Sequence, residues 1–290
     1  MRTIMIVARA DDQYRLVTQP DHSRQVGHIA RHWGNDQFGA PEPRHACLVA
    51  AEVHDNGWWE YDLQPHLVDG EPAGILDPNS DAWADFYRQG PDRAAAVDSY
   101  AGLLVSMHGT GVKQQRYGWD EAVPDGSDGF AKFIADQEQF QRDRLAEMAD
   151  TDRFGPYATE AERAGLATIH SGDANEFGDD VPQIWTNYRL LQTWDMLSLY
   201  WCRNWSLPAD RITGVPSGPE TEVTALSLDP IDDRTVRIDP YPFDTTPLSV
   251  PVEGRLVRRP ITTERELVEA YYRADPVSFE FTFEPAPDRE

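Results

Sequence analysis

With 290 residues, 40% of them hydrophobic, and nine tryptophans, the chain can bury a substantial core. No run of eighteen apolar residues occurs, and the opening MRTIMIVARADDQYRLV lacks the basic-then-apolar order of a secretion signal. No membrane span is therefore expected, and a cytoplasmic location is. Fifty acidic residues against 26 basic ones give a net charge of −24, and only Lys113 and Lys132 are lysines, which disfavours nucleic acid and anionic lipid as partners.

In chain order, TIMIVAR and QYRLVT flank ADD and predict a β-hairpin within residues 1–18. QPDHSRQVGHIARHWG predicts a helix from Asp21 to Trp33, with Pro20 at its start and Gly34 at its stop. His22 shares a face with Val26 and Ile29. After the FGAPEP link, a second helix is expected from about Pro43 to Gly57, with Cys47, Ala50 and Ala51 on the face that carries His54, and Asp55 following. Residues 56–98 are turn-rich and acidic and read as a long loop with short helical pieces.

SYAGLLVSMHGTG places Ala101, Leu104 and Val105 on the face of His108, with Gly109 and Gly111 as a stop. A loop at 118–129 precedes an amphipathic helix over about 130–149, and a further helix ends near His170. PQIWTNYRLLQTWDMLSLYWC, 182–202, is the most apolar helix, and Asp195 lies on its buried stripe with Tyr188, Leu191, Leu199 and Cys202. Beyond Pro208, alternating segments broken by Pro, Gly and Asp predict an antiparallel sheet with one helix, TERELVEAYYRA, joined by the N-terminal hairpin. The expected divisions are 1–18, a helical core over 19–208, and a β-rich region over 209–290 packed on that core. Cys47 and Cys202 lack metal-ligand spacing and read as core residues in a reducing compartment.

Four segments far apart in sequence thus place His22, His54 with Asp55, His108 and Asp195 on apolar helical faces. Burying such groups is costly unless they satisfy one another, and imidazole with carboxylate around a shared cation does so with Fe, Mn, Zn or Ni. His28 and His32, spaced i, i+4, lie off the apolar face and read as a solvated pair, and His45 and His66 carry no pattern. Trp58, Trp59 and Tyr61 read as core, with a pocket wall as the alternative. No GxGxxG, Walker, GxSxG or Cys–His nucleophile pattern stands out.

The order His … His-Asp … His … Asp resembles the HD-domain superfamily over roughly residues 18–206. QPDHSR, EVHDNGW, YAGLLVSMHGTG and LLQTWDMLSLY, followed by PYPF, look more closely like an uncharacterised prokaryotic domain-of-unknown-function family. The HD resemblance implies a mainly α (α+β) fold: a helical bundle holding one or two divalent metals, with the antiparallel sheet added. It implies that His22, His54, Asp55 and Asp195 bind a first ion, that Asp55 bridges to a second and acts in catalysis, and that His108 holds the second, with His170 as a sixth ligand. Arg24 and Asn56 are catalytic or substrate-contact candidates, as are Glu52 and Lys113.

The reading that follows is metal-assisted hydrolysis of a small, phosphorylated substrate, in which Arg24, Arg31 or Arg116 meets the phosphate. The alternatives are a di-iron oxygenase, favoured if His108 and His170 both ligate, and a non-catalytic binding protein. Homo-oligomers are expected only where apolar or screened patches meet. The acidic, lysine-poor composition is expected to be an adaptation to high salt, where screening relieves self-repulsion. The melting temperature should therefore rise as KCl is added; a melting temperature indifferent to salt would refute this.

Overall fold

The computed structural model describes residues 5–75, 80–114, 127–172, 177, 180–218 and 222–287. Eight α-helices and nine strands occur among them, in the order β1 (Ile6–Arg9), β2 (Gln13–Val17), α1 (Gln19–Arg31), α2 (Arg44–Val53), β3 (Leu67–Val68), β4 (Glu71–Pro72), α3 (Ser80–Val97), α4 (Ser99–Lys113), α5 (Ser127–Ala149), α6 (Glu160–Ser171), α7 (Gln183–Arg203), β5 (Asp210–Pro216), β6 (Val223–Pro230), β7 (Thr235–Asp239), β8 (Leu248–Arg258), α8 (Glu264–Arg273) and β9 (Pro276–Pro285). The class is α+β.

The seven-stranded sheet runs β1-β2-β8-β9-β7-β6-β5. The N-terminal hairpin joins it as expected, through antiparallel pairing of β2 with β8. One expectation is corrected: β7 pairs with β9 in parallel, so the sheet is mixed. Alternation along each strand defines its faces but not its neighbour, and the excursion through β8 and α8 returns β9 beside β7.

Helix and sheet share one core. Trp201 of α7 stacks on Phe281 of β9 with ring centroids 4.7 Å apart, and Trp33, just past α1, meets Trp194 of α7 at 6.1 Å. The ends of α7 are satisfied by other elements. Pro182 offers no side-chain cap. Instead the Glu162 carboxylate of α6 accepts from the amides of Gln183 at 2.8 Å and Ile184 at 2.9 Å. At the other end Arg15 of β2 donates to the carbonyls of Trp201 at 2.5 Å and Asn204 at 2.7 Å.

Three further expectations change. The region 56–98, read as loop with helical pieces, contains α3, eighteen residues long with Pro91 inside it. Trp83, Phe86, Tyr87 and Ala94 form its buried stripe. Gly109 and Gly111 do not stop α4, which continues to Lys113. They admit neighbours instead: a Cβ at Gly109 would press on the Tyr87 ring, and one at Gly111 would overlap the Tyr188 hydroxyl. The second helix ends at Val53, short of the expected Gly57. His54 keeps helical dihedrals, Asp55 leaves them (φ −107°, ψ 16°), and a short 3₁₀ turn follows over Asn56–Trp58.

Gly57 in that turn lies against the backbone of α3, where a Cβ would overlap the Phe86 carbonyl oxygen. Neither backbone can retreat without moving the Trp58–Phe86 packing, whose ring centroids are 4.3 Å apart. Gly57→Ala should therefore cost about 3 kcal/mol of stability, read by urea unfolding. A cost below about 0.5 kcal/mol would show that the close approach is not enforced.

Candidate metal centre

The helices deliver their polar residues to one buried point. His22 comes from the first turn of α1, His54 and Asp55 from the end of α2, His108 from α4 and Asp195 from the middle of α7, and all five are buried. The break at the end of α2 is what allows the doublet to act together. Within a helix, successive side chains point about 100° apart; with the helix ended, His54 Nε2 and Asp55 Oδ2 lie 3.5 Å from each other.

His22 Nε2 is 2.7 Å from Asp195 Oδ1, and His54 Nε2 is 3.5 Å from the same oxygen. His108 Nε2 lies 3.8 Å from Asp55 Oδ1. The rings of His22 and His54 are 5.3 Å apart, and those of His54 and His108 are 4.9 Å apart, both edge to face. Two donor sets result, His22–His54–Asp195 and His54–Asp55–His108, each with one nitrogen or oxygen per residue and all of these atoms within 4.8 Å of one another. His54 belongs to both.

The donor set suits a divalent cation. His54 Nδ1 faces the Ala51 carbonyl at 3.0 Å, an oxygen that can only accept, so Nδ1 carries a proton. Its buried Nε2 lies 3.5 Å from Asp55 Oδ2 and 3.5 Å from Asp195 Oδ1, closer to neither. A nitrogen held between two carboxylates in this way carries a proton in the metal-free protein and would serve as a ligand once that proton is displaced. Imidazole and carboxylate together favour transition metals over calcium or magnesium.

The electrostatics agree. Burial opposes charge on His54, yet the Asp55 charge and Asp195 together lift its pKa to about 9. Burial and the neighbouring His54 push His108 down to about 4. Burial works against the charged form of Asp195, but His22 and His54 hold its carboxyl well below the usual carboxylate range. Without a metal, protons stand in for the missing positive charge.

One contributor escaped the sequence reading. The Tyr87 hydroxyl of α3 donates to Asp55 Oδ1 at 3.0 Å, and the Tyr87 ring lies 5.9 Å from that of His108. Burial and the Asp55 charge raise its pKa well above the ordinary value, so it remains a donor. Its signal was the apolar spacing Trp83, Phe86, Tyr87, masked by Gly90-Pro91 in a segment read as loop.

Other expected residues lie elsewhere. His170 Nε2 faces Gln141 Oε1 at 2.7 Å and its Nδ1 faces Arg142 at 3.1 Å, so the structure places it in neither donor set. Arg24 is exposed and pairs with Asp21 on its own helix, and Glu52 pairs with Arg31. The Asn56 backbone carbonyl accepts from Arg93 at 3.0 Å. Lys113 places its ammonium 3.6 Å from the Trp83 ring centroid, and burial lowers its pKa to about 8. Arg116 lies outside the described residues. Trp58 is buried and Trp59 is 53% exposed, so the tryptophan pair is split between core and surface. His28 and His32, expected in solvent, bond the Ser249 carbonyl at 2.8 Å and Asp244 at 3.0 Å respectively.

The raised pKa of His54 makes metal and proton competitors. Its folded pKa exceeds the ordinary 6.5, so in the metal-free protein the stabilisation it gives is complete below about pH 6.5 and is lost as pH rises through about 9. A metal needs the neutral ring. The Zn²⁺ dissociation constant should therefore fall about tenfold per pH unit between roughly pH 7 and 9, with about one proton released per ion, read by calorimetry in buffers of different ionisation heat. A pH-independent constant in that window would remove His54 from the ligand set.

No curated protein and no solved structure matches the chain. A family model does, over residues 5–259, a span that includes all five clustered residues, Tyr87 and Lys113. The chain belongs to the family described as "Protein of unknown function (DUF3891)".

Proposed function

We propose that the protein is a metal-dependent hydrolase of the HD-domain type, acting on a small phosphoester at a mono- or dinuclear centre held by His22, His54, Asp55, His108 and Asp195. The observation that carries the reading is that His54 belongs to both of two buried donor sets drawn from four helices. A purely structural core would satisfy these groups pairwise, whereas one imidazole nitrogen here stands 3.5 Å from each of two carboxylates and closer to neither.

When bound, a divalent ion supplies Lewis-acid polarisation of a phosphoryl oxygen and an acidified water. The chain's own residues hold the geometry. Tyr87 fixes Asp55 through its hydroxyl, and Ala51 fixes the His54 ring. No nucleophilic side chain is needed, in keeping with the sequence.

Lys113 is the side chain we assign to the substrate's negative charge. Lys132 is exposed and bonded to Asp136 at 2.7 Å, whereas Lys113 is held over Trp83 and Phe130 with no carboxylate partner among the described residues. Trp83 packs on Tyr87 with centroids 4.8 Å apart, so Lys113 stands on the aromatic wall that ends at Asp55. Arg24 and Arg31 are committed to Asp21 and Glu52. The oxygenase alternative drew on His170 beside His108, and the bonds of His170 to Gln141 and Arg142 leave it without that support.

Protein purified in high KCl should contain a transition metal by elemental analysis and should turn over p-nitrophenyl phosphoesters. His54→Ala and Asp195→Asn should each lose metal and at least about a hundredfold in kcat/KM. Iron with oxygen uptake and no phosphoesterase activity would establish the oxygenase instead. Unchanged metal content in His54→Ala, with altered stability alone, would establish a non-catalytic protein.

A further inference from the structure

A buried chain of hydrogen bonds leads from the sheet to His22, and its proton positions can be assigned from one end. It begins at the main-chain carbonyl of Val250 in β8, which can only accept. Gln25 Nε2 donates to it at 2.9 Å, and this fixes the amide so that Oε1 is the atom turned toward Ser198. Oε1 can also only accept, and the Ser198 hydroxyl lies 2.6 Å from it. A hydroxyl has one proton. The other candidate acceptor, Cys202 Sγ, is 3.9 Å from the hydroxyl, and its own thiol points at Gln25 Oε1 over 3.5 Å. The proton of Ser198 is therefore committed to Gln25, leaving its oxygen to accept from His22 Nδ1 at 2.7 Å. It follows that Nδ1 bears a proton, and Nε2 is the ring atom presented to Asp195 and the site. His22, Gln25 and Ser198 are at most 1% exposed, so solvent cannot replace any member.

We propose that Gln25 and Ser198 are positioning residues that hold His22 with its proton on Nδ1, keeping Nε2 as the atom that donates to a divalent cation. The inference deepens the metal-centre reading and rests on it. Gln25 follows His22 by three positions on α1 and Ser198 follows Asp195 by three on α7, so each helix brings one site residue and one link of the relay on the same face. His54 is served by the local Ala51 carbonyl and needs no such chain. His22, in the first turn of its helix, takes its reference from a strand more than two hundred residues away. The arrangement gives the C-terminal sheet a task at the site: the Val250 carbonyl, in register with Phe281 of β9, sets the direction of every proton in the chain.

The two variants perturb the relay differently. In Gln25→Met the Ser198 proton is left with His22 Nδ1 at 2.7 Å and the weak acceptor Cys202 Sγ at 3.9 Å, so the ring is driven toward the form protonated at Nε2, the ligand atom. In Ser198→Ala the ring loses its tether. The test is ¹⁵N NMR of the histidine rings in the metal-free full-length protein, joined to Zn²⁺ titration against a chromophoric chelator for wild type and both variants. The expected results are a protonated His22 Nδ1 in the wild type, loss of that proton in Gln25→Met, and Zn²⁺ affinity lowered about 10–100-fold in both variants with an unchanged far-UV spectrum. An unprotonated Nδ1 in the wild type overturns the proposal without recourse to any variant, as would wild-type Zn²⁺ affinity in both variants. A protonated Nδ1 in a wild type that takes up no Zn²⁺ would overturn the metal reading while leaving the proton assignment standing, so the two failures are distinct.

Discussion

The structure is built around two carboxylates withdrawn from water. Asp55 and Asp195 are both nearly fully buried, and three imidazoles close around them. An isolated carboxylate in such surroundings costs far more than any single contact returns, so positive charge must enter with it, as protons on the histidines or as a cation. The rest of the core serves that constraint. The five clustered residues come from four stretches of backbone, and two of these are held by bonds unrelated to the site: Glu162 and Arg15 fix the two ends of α7, and Asp98 caps α4 through the amides of Tyr100 and Ala101. Glycines let the backbones meet. Gly109, next to His108, is the reason a tyrosine ring from α3 can lie against α4 and reach Asp55.

The net charge of −24 acts on this site in two opposing ways. A negative field concentrates cations and lowers the cost of placing one among carboxylates. The same field would repel the phosphorylated substrate proposed above, and few arginines near the site are unpaired among the described residues. Arg24, Arg31 and Arg93 are all tied to acidic partners. That is why the partial desolvation of Lys113 over Trp83 and Phe130 carries weight: an ammonium packed on aromatic faces keeps attraction for an anion without surrendering it to a resident carboxylate.

The clustered residues were legible because each violates a local pattern. A histidine or aspartate on an otherwise apolar stripe is visible in a 3.6-residue period, and His22, His54, His108 and Asp195 all stand out in that way. Periodicity says that a group is buried but not what it is buried against, and so His170, equally near the end of an amphipathic helix, meets Gln141 instead of the cluster. Tyr87 was hidden for a different reason: Gly90-Pro91 and an acidic flank read as loop, yet Pro91 is tolerated inside α3. The parallel pairing of β7 with β9 was beyond reach, since alternation is the same whichever strand lies alongside.

The sheet looked, in sequence, like an appendage to a helical core. Its placement argues otherwise. The first helix is pinned to β8 by two side chains three residues apart, Gln25 on the Val250 carbonyl and His28 on the Ser249 carbonyl at 2.8 Å. Adjacent carbonyls of a strand point to opposite edges, so holding both requires α1 to lie at a set rotation and height over the strand. His22 lies one turn before Gln25 on that helix, and its ring position is thus determined by the sheet as much as by the bundle. A helical bundle alone would fix which residues face the centre to within a rotamer. A metal ligand needs its donor atom within a fraction of an ångström and with the right nitrogen bare. The strand carbonyl supplies that last degree of definition, which is a physical reason for the helices and the sheet to share one continuous core.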